Sequence, residues 1–343
     1  MSKLSRSLSQ MATSPVRLWL FAMAFLVFCM VIVGGATRLT DSGLSITEWQ
    51  PLLGAIPPLS EADWQAAFAK YQTIPEYQLV NKGMDMAAFQ FIYWWEWSHR
   101  FLGRFIGVAF LVPLVWFAVS GRISRAKLPR LAGLFILGGL QGALGWYMVK
   151  SGLTERVDVS QYRLAAHLTL ASAIYAALLW TAFGWNNAVP RAWNWQSARA
   201  ACLVALVLGQ IALGGFVAGL DAGMAYNEWP LMDGAIIPAG LFAAEPLWRN
   251  FFENALTVQF QHRVMAYLVI LAIGLHVWLS RPAAHMPSLV FLFIAVFLQA
   301  AIGVWTLLAQ VPLHLGLVHQ GGALVLLLAA VAHLHYTTIS RKT

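Results

Sequence analysis

The sequence predicts an all-α integral membrane protein whose eight transmembrane helices form two tandem four-helix bundles related by a pseudo-two-fold axis along the membrane normal. Three observations carry this. Hydrophobic residues make up 59% of the 343 residues and charged residues 10%, a balance that suits a lipid solvent. Apolar stretches long enough to cross a hydrocarbon core, which takes about 20 helical residues, recur along the chain. Motifs of the first half return in the second at nearly constant spacing.

Taken in order, the spans fall at 16–36, 89–119, 130–149, 162–184, 200–220, 255–279, 287–308 and 315–338. The second is longer than a crossing requires, because the aromatic run from Phe89 to Trp97 suits the outer interface; the excess is too short for another helix. Short basic connections set the orientation. Lys3, Arg6 and Arg17 precede the first span, and Arg122, Arg125, Lys127 and Arg130 fill the second connection. Arg191 and Arg199 lie in the fourth, Arg281 in the sixth, and Arg341 and Lys342 in the tail. Basic residues in short flanks stay on the cytoplasmic side, so both termini are expected there, in a bacterial inner membrane. The loops 37–88 and 221–254 then face the periplasm and carry acidic residues including Asp41, Glu48, Asp221 and Glu228. The net charge of +8 is topological and calls for no nucleic acid. Cys29 and Cys202 both lie inside spans, which excludes loop disulfides, zinc ribbons and CxxCH heme attachment.

Gly34-Gly35, Asp41, Gly43 and Glu48-Trp49 recur 180 residues later as Gly214-Gly215, Asp221, Gly223 and Glu228-Trp229. His99-Arg100 matches His262-Arg263 at 163, Leu140-Gln141 matches Leu298-Gln299 at 158, and His167 matches His319 at 152. The duplication divides the chain into 1–199 and 200–343. Because each unit has an even number of spans, the two run in the same direction and place equivalent residues at equal depth.

Of nine histidines, four occur as repeat-related pairs: His99 and His167, then His262 and His319. They fall in the outer parts of the second, fourth, sixth and eighth spans. An ionisable side chain within a span is costly and marks function when it faces a bundle interior. A lone histidine reads equally as a packing residue bonded to a neighbouring helix. Two matched pairs of imidazoles suit an iron porphyrin, held by its ligands alone. Zinc or copper stays open, although no further carboxylate or thiolate ligands accompany the pairs. Arg100 and Arg263 are candidate partners for heme propionates, or snorkelling interfacial residues. Glu96 lies three residues before His99 and hence on the same helical face, whereas the repeat-equivalent residue is Gln259. A carboxylate can exchange protons or stabilise a cation and an amide cannot, so the first half reads as reactive and the second as a holder. Glu96 exposed to water at the interface is the plainer alternative.

A rival pattern lies in His262 and His276, and again in His319 and His333, each pair 14 residues apart. That is about 21 Å along a helix, enough to stack two hemes as a bis-histidine multi-heme cytochrome drawing electrons from quinol would. The equivalent steps in the first half reach Pro113 and Thr181, so His276 and His333 read as histidines of the inner interface. His285, His314 and His335 carry no stronger signal.

The segments Glu96-Trp97-Ser98-His99-Arg100 and Gln261-His262-Arg263, the loop from Gly34 to Ser45 and the pair Glu48-Trp49 together resemble the heme A synthase family of the alphaproteobacterial and mitochondrial type, over nearly the whole chain. The resemblance implies an oxidoreductase that converts the C8 methyl of heme O to a formyl group, giving heme A for terminal oxidase assembly. It implies that His99 and His167 bracket the substrate heme, with Glu96 as the catalytic carboxylate, and that His262 and His319 ligate a heme b cofactor on the periplasmic side. Implied partners are heme O synthase, oxidase assembly factors and an external electron donor or acceptor. Small-residue faces such as Gly138-Gly139 and Gly214-Gly215 could pack helices within the chain or in a homo-oligomer. Some relatives carry a cysteine pair in the first outer loop; this sequence has none, which puts thiol chemistry in doubt here.

Overall fold

The computed structural model describes residues 14–50, 53–155, 157–185, 188–190, 193–280 and 286–341. Lys3, Arg6, Arg191, Arg281, His285 and Lys342 lie outside the described residues. Eight helices are long and apolar enough to cross a membrane, and the chain is a multi-pass integral membrane protein. The spanning helices are α1 (Pro15–Leu39), α4 (Met86–Val119), α5 (Leu128–Glu155), α6 (Gln161–Phe183), α7 (Trp195–Gly219), α9 (Ala255–Leu279), α10 (Met286–Leu308) and α11 (Leu313–Thr338). Three short helices lie in the long loops: α2 (Glu61–Tyr71), α3 (Pro75–Leu79) and α8 (Asn250–Glu253). The sequence pattern did not resolve these. Strand β1 (Ala188–Pro190) pairs antiparallel with β2 (Ile339–Arg341) and ties the α6–α7 connection to the end of α11.

Local chemistry explains several helix starts. Asp85 caps α4 by accepting from the Ala88 amide at 2.8 Å, and Asn194 caps α7 through Ser197 at 2.9 Å. Ser60 and Asp63 form a reciprocal capping box at the start of α2. After α1 and α7 the chain turns through a left-handed residue, Asp41 at φ 48° and Asp221 at φ 49°. These are repeat-equivalent aspartates, a residue type that tolerates this conformation.

Packing follows the order of the chain. Helix α1 touches α4 and α6, and α5 lies against both α4 and α6; likewise α7 touches α9 and α11, and α10 lies against both α9 and α11. The two sets meet through α6 against α7, α1 against α11, and α6 against α11. The α6–α7 contact is close because Gly215 and Gly219, one turn apart, face Ala165 and Gln161. A β-carbon on Gly215 would lie 2.7 Å from Ala165 Cα, so only hydrogen fits there. Gly138 and Gly139 meet nothing within 4 Å. The apolar core includes Leu20, Met23, Leu178, Ile273, Leu324 and Leu327.

At one end of the spans, α2 packs on the start of α4 and α3 packs on α5. Tyr71 and Phe89 are fully buried there, with ring centroids 5.3 Å apart, which explains why the aromatic run continues as helix beyond a membrane thickness. This layer encloses Glu76, whose carboxylate accepts from Tyr71 at 3.1 Å and Asn81 at 3.3 Å. Burial is the main cause that pushes the Glu76 carboxyl up to about 8, against the opposing pull of the Tyr71 hydrogen bond. Tyr71 is pushed up as well, by burial and by the Glu76 charge.

Arg38, at the end of α1, joins the two sets of spans. It bonds Asp41 at 2.8 Å, Asp221 at 2.8 Å and Asp158 at 2.9 Å, and its Nε donates to the Ala218 carbonyl at 3.2 Å. Ala218 is the repeat-equivalent of Arg38 itself. Burial raises the Asp158 carboxyl, with Arg38 pulling the other way.

Gly215→Ala should force α6 and α7 apart and cost about 1–3 kcal/mol, read as a lower Tm in detergent, whereas Gly139→Ala should leave Tm unchanged. Because Glu76 is raised from its ordinary 4.5 to about 8, its stabilisation of the outer layer is complete below pH 4.5 and is lost as pH rises through about 8. Limited proteolysis of the 61–81 segment should therefore accelerate between those limits, and Glu76→Gln should flatten the dependence.

Candidate functional site

The paired histidines take equivalent places. His99 lies on α4 and His167 on α6; His262 lies on α9 and His319 on α11. Within each set these two helices make little direct backbone contact among the described residues, because α1 and α5, or α7 and α10, complete the packing around them. All four imidazoles are half-buried.

Each ring lies against a glycine. A β-carbon on Gly34 would approach His99 Nε2 to 3.1 Å, and on Gly214 it would approach His262 Cε1 to 3.3 Å. On Gly145 and Gly303 it would come within 2.9 Å of His167 Cε1 and 2.7 Å of His319 Cε1. These glycines form two repeat-related pairs, and they let a ring edge approach a neighbouring helix closely. Three rings also meet an amide. Gln141 Nε2 lies 3.1 Å from His167 Nδ1, Gln299 Nε2 lies 3.2 Å from His319 Nδ1, and Gln210 Nε2 lies 3.2 Å from His262 Nδ1. Each of these amides also donates to the backbone carbonyl of its histidine. The match of Leu140-Gln141 with Leu298-Gln299 signalled two of them in the sequence, without indicating their role.

Glu96 is 2% exposed and so is not a water-facing interfacial residue. Its Oε2 accepts from Ser45 Oγ at 2.8 Å and the Ile46 amide at 2.6 Å, while Oε1 accepts from Arg100 Nη2 at 2.5 Å and Nε at 3.0 Å. Arg100 also donates to the carbonyls of Ile46 and Glu48, which clamps the outer loop onto α4. In the second set Arg263 donates to Gln259 Oε1 at 2.7 Å and to the Tyr226 and Leu231 carbonyls, and Gln259 donates to the Ala222 carbonyl at 2.6 Å. The ion pair of one set is thus a neutral amide contact in the other. Ser45 and the Ile46 amide are functional neighbours that sequence spacing did not reveal, because they come from a loop 50 residues away.

The sequence reads His276 and His333 as histidines of the inner interface, with stacked hemes as the rival pattern. Their Nε2 atoms lie 2.8 Å apart in a direct hydrogen bond, both rings are buried, and Ser288 contacts His333 Nδ1 at 3.0 Å. An iron between two nitrogens needs about 2 Å on each side, which this pair cannot give. They form a core hydrogen bond rather than a second heme site or an exposed interface. His314 is exposed, and His335 packs against Trp180 and Phe183.

Two imidazoles in each set of spans, glycine beside every ring and a buried amide oxygen without a partner among the described residues on Gln141, Gln210 and Gln299 fit a flat, axially ligated macrocycle. Among the described residues no group of three or more His, Cys, Asp or Glu side chains could hold a bare metal ion. Fold and side chains together describe a multi-pass membrane protein with two repeat-related pairs of histidines whose surroundings differ by one carboxylate.

Residues 17–331 match the COX15-CtaA family, described as a cytochrome oxidase assembly protein, and the chain belongs to that family. It is 58% identical over 318 residues to the heme A synthase of Parvibaculum lavamentivorans, covering 92% of each chain. It is 55% identical over 334 residues to that of Azorhizobium caulinodans, covering 94% of each, and 53% identical over 323 residues to that of Mesorhizobium japonicum, covering 93% of this chain and 89% of the relative.

Arg100→Ala leaves Glu96 buried beside no cation and should cost about 3–5 kcal/mol. The expected outcome is a lower Tm together with faster hydrogen exchange at residues 42–50, and Glu96→Gln should reproduce neither at that size.

Proposed function

We propose that this chain is a membrane oxidoreductase that converts heme O to heme A, oxidising the C8 methyl of its substrate to a formyl group by successive hydroxylations and loss of water. The observation that carries the reading is the chemical difference between two otherwise repeated sites: Glu96 paired to Arg100 beside one imidazole pair, Gln259 bonded to Arg263 beside the other. Relatives similar over most of their length bear the name heme A synthase, which supports the same reading.

In this reading residues 1–199 form a four-helix bundle that holds the substrate between His99 and His167, and residues 200–343 form a second that holds heme b between His262 and His319. The pseudo-two-fold axis relating them passes near Arg38, which bonds both repeat-equivalent aspartates and the backbone of its own counterpart. Both termini face the cytoplasm of a bacterial inner membrane, and both heme sites lie toward the periplasm. Heme b, when bound, supplies a one-electron relay to an external donor or acceptor. Heme O synthase and oxidase assembly factors are the partners that supply substrate and receive product.

The chain's own residues do the following. His99 and His167 orient the substrate ring by axial contact, so that one edge faces the outer end of α4. Glu96, one turn outward of His99, is fixed by Ser45, the Ile46 amide and Arg100 and cannot swing away. A carboxylate pre-oriented in a low-dielectric space stabilises positive charge developing at the carbon being oxidised, without solvent reorganisation. Gln259 offers no such charge, so the second site holds its ring unchanged. The outer loop, clamped by Arg100, keeps bulk water from the reacting edge. Arg263 Nε is buried without a partner among the described residues and is available to a propionate, while Arg100 remains committed to Glu96.

The test is extraction and mass analysis of non-covalent hemes after expression with and without a heme O synthase. Heme A should appear beside heme b only with that supply, and Glu96→Gln should retain heme O and heme b while heme A falls at least a hundredfold, the scale of losing one stabilising group at a reacting centre, roughly 10²–10³. Undiminished heme A in that variant would remove Glu96 from the mechanism, and heme b alone under both conditions would overturn the enzyme reading.

A further inference from the structure

The two sets of spans pack differently along one helix, α5. Its residues Leu131, Leu134, Gly138, Gly142, Gly145 and Met148 fall on one helical face, the face that brings Gly145 against the His167 ring. Leu131, Leu134 and Met148 are buried, as are their repeat-equivalents Leu289, Leu292 and Thr306 on α10. Between these buried ends the two helices part company. Gly138 and Gly142 are exposed, and a β-carbon on either would meet nothing within 4 Å. Their equivalents are Val296, which is 3% exposed, and Ala300, which is half-buried. On α4, a β-carbon on Gly107 would likewise meet nothing within 4 Å, whereas its equivalent on α9, Ile270, packs against the core. Gly107 lies one turn before Phe110, whose ring stacks on Phe135 of α5 at 5.9 Å. Of the most apolar stretch of each helix, 6% is buried in α5 and 28% in α10.

One exchange on the next helix accounts for the gap. Gly322 on α11, three residues after His319, lets α10 come so close that a β-carbon there would collide with Gln299 Oε1. The equivalent residue on α6, three after His167, is Leu170, which packs against the core. Its side chain holds α5 off, and α5 packs along α6 far less extensively than α10 along α11. The result is an apolar opening in the middle of α5 that begins one turn from Gly145 and therefore from the His167 ring. Gln141 Oε1, on the same face between the two open glycines, is buried without a partner among the described residues.

We infer that this opening takes the isoprenoid chain of heme O, and that Gly107, Gly138 and Gly142 make the first site specific for a prenylated ring. This rests on the assignment of the two heme sites in the preceding subsection. The two hemes differ at one ring edge, where heme O carries a hydroxylated carbon and a long apolar chain and heme b a vinyl group. The two sites differ beside the ring in the same sense: open in the set assigned to heme O, filled in the set assigned to heme b. A long chain cannot enter a close-packed core and needs a path to hydrocarbon, which a gap lined by glycines provides. The hydroxyl at the root of the chain meets an acceptor in Gln141 Oε1. Val296 closes the same path beside His319 and keeps a prenylated ring out of the cofactor site.

The experiment titrates heme O or heme b into the purified protein in detergent, its second site already loaded with heme b, and follows uptake by the Soret absorbance. His167→Ala should abolish this uptake while retaining the resident heme b, which assigns it to the first site. The unaltered protein should bind heme O at least about tenfold more tightly than heme b. Gly138→Val, which copies α10, and Gly142→Leu should each weaken heme O by roughly 10–200-fold, the scale on which one methylene group counts in an apolar pocket, and leave heme b binding unchanged. Equal binding of the two hemes by the unaltered protein, or variants that weaken both alike or neither, overturns the inference while the site assignment stands. A phospholipid that copurifies with the unaltered protein and is lost in Gly138→Val, with heme O binding undiminished, would make the opening a lipid site and overturn it as well. Uptake that survives His167→Ala overturns the site assignment itself.

Discussion

Four imidazole rings lie against four glycines, and that close approach governs how the spans of this protein are spaced. A histidine in a bilayer must be solvated by protein, and a ring that also lines an interior space cannot be wrapped by side chains on every side. The absence of a β-carbon at Gly34, Gly145, Gly214 and Gly303 lets a neighbouring helix approach the ring directly. The helices bearing each pair can then stand apart while their neighbours close the packing around them.

Duplication gives the two sites a common frame, and a few substitutions separate their chemistry. Arg100 and Arg263 bind the same loop carbonyl in each copy, at Ile46 and at Tyr226. Beside that shared clamp, a carboxylate in one copy and an amide in the other decide whether charge is available next to the ring.

The outer layer has its own physics. Tyr71, Glu76 and Asn81 bury a hydrogen-bonded carboxylate beneath α2 and α3, and Arg38 gathers three aspartates where the two sets of spans meet. Such groups are tolerable because each has partners, and they fix the loops that cover the ends of the spans.

The sequence by itself determined the eight spans, the duplication, the four paired histidines and the exchange of Glu96 for Gln259. These are legible because membrane thickness demands long apolar helices and because repeats preserve residue types at fixed offsets. Only tertiary structure decided that His276 and His333 bond to each other, since a spacing of 14 residues fixes a rise along one helix and says nothing of which rings face each other across two. It also decided that Glu96 is buried under Ser45 and Ile46, that α2 packs on α4 and α3 on α5, and that three glutamines and four glycines attend the rings. Those contacts join residues far apart in the chain, and their partners are set by how helices cross rather than by any local period.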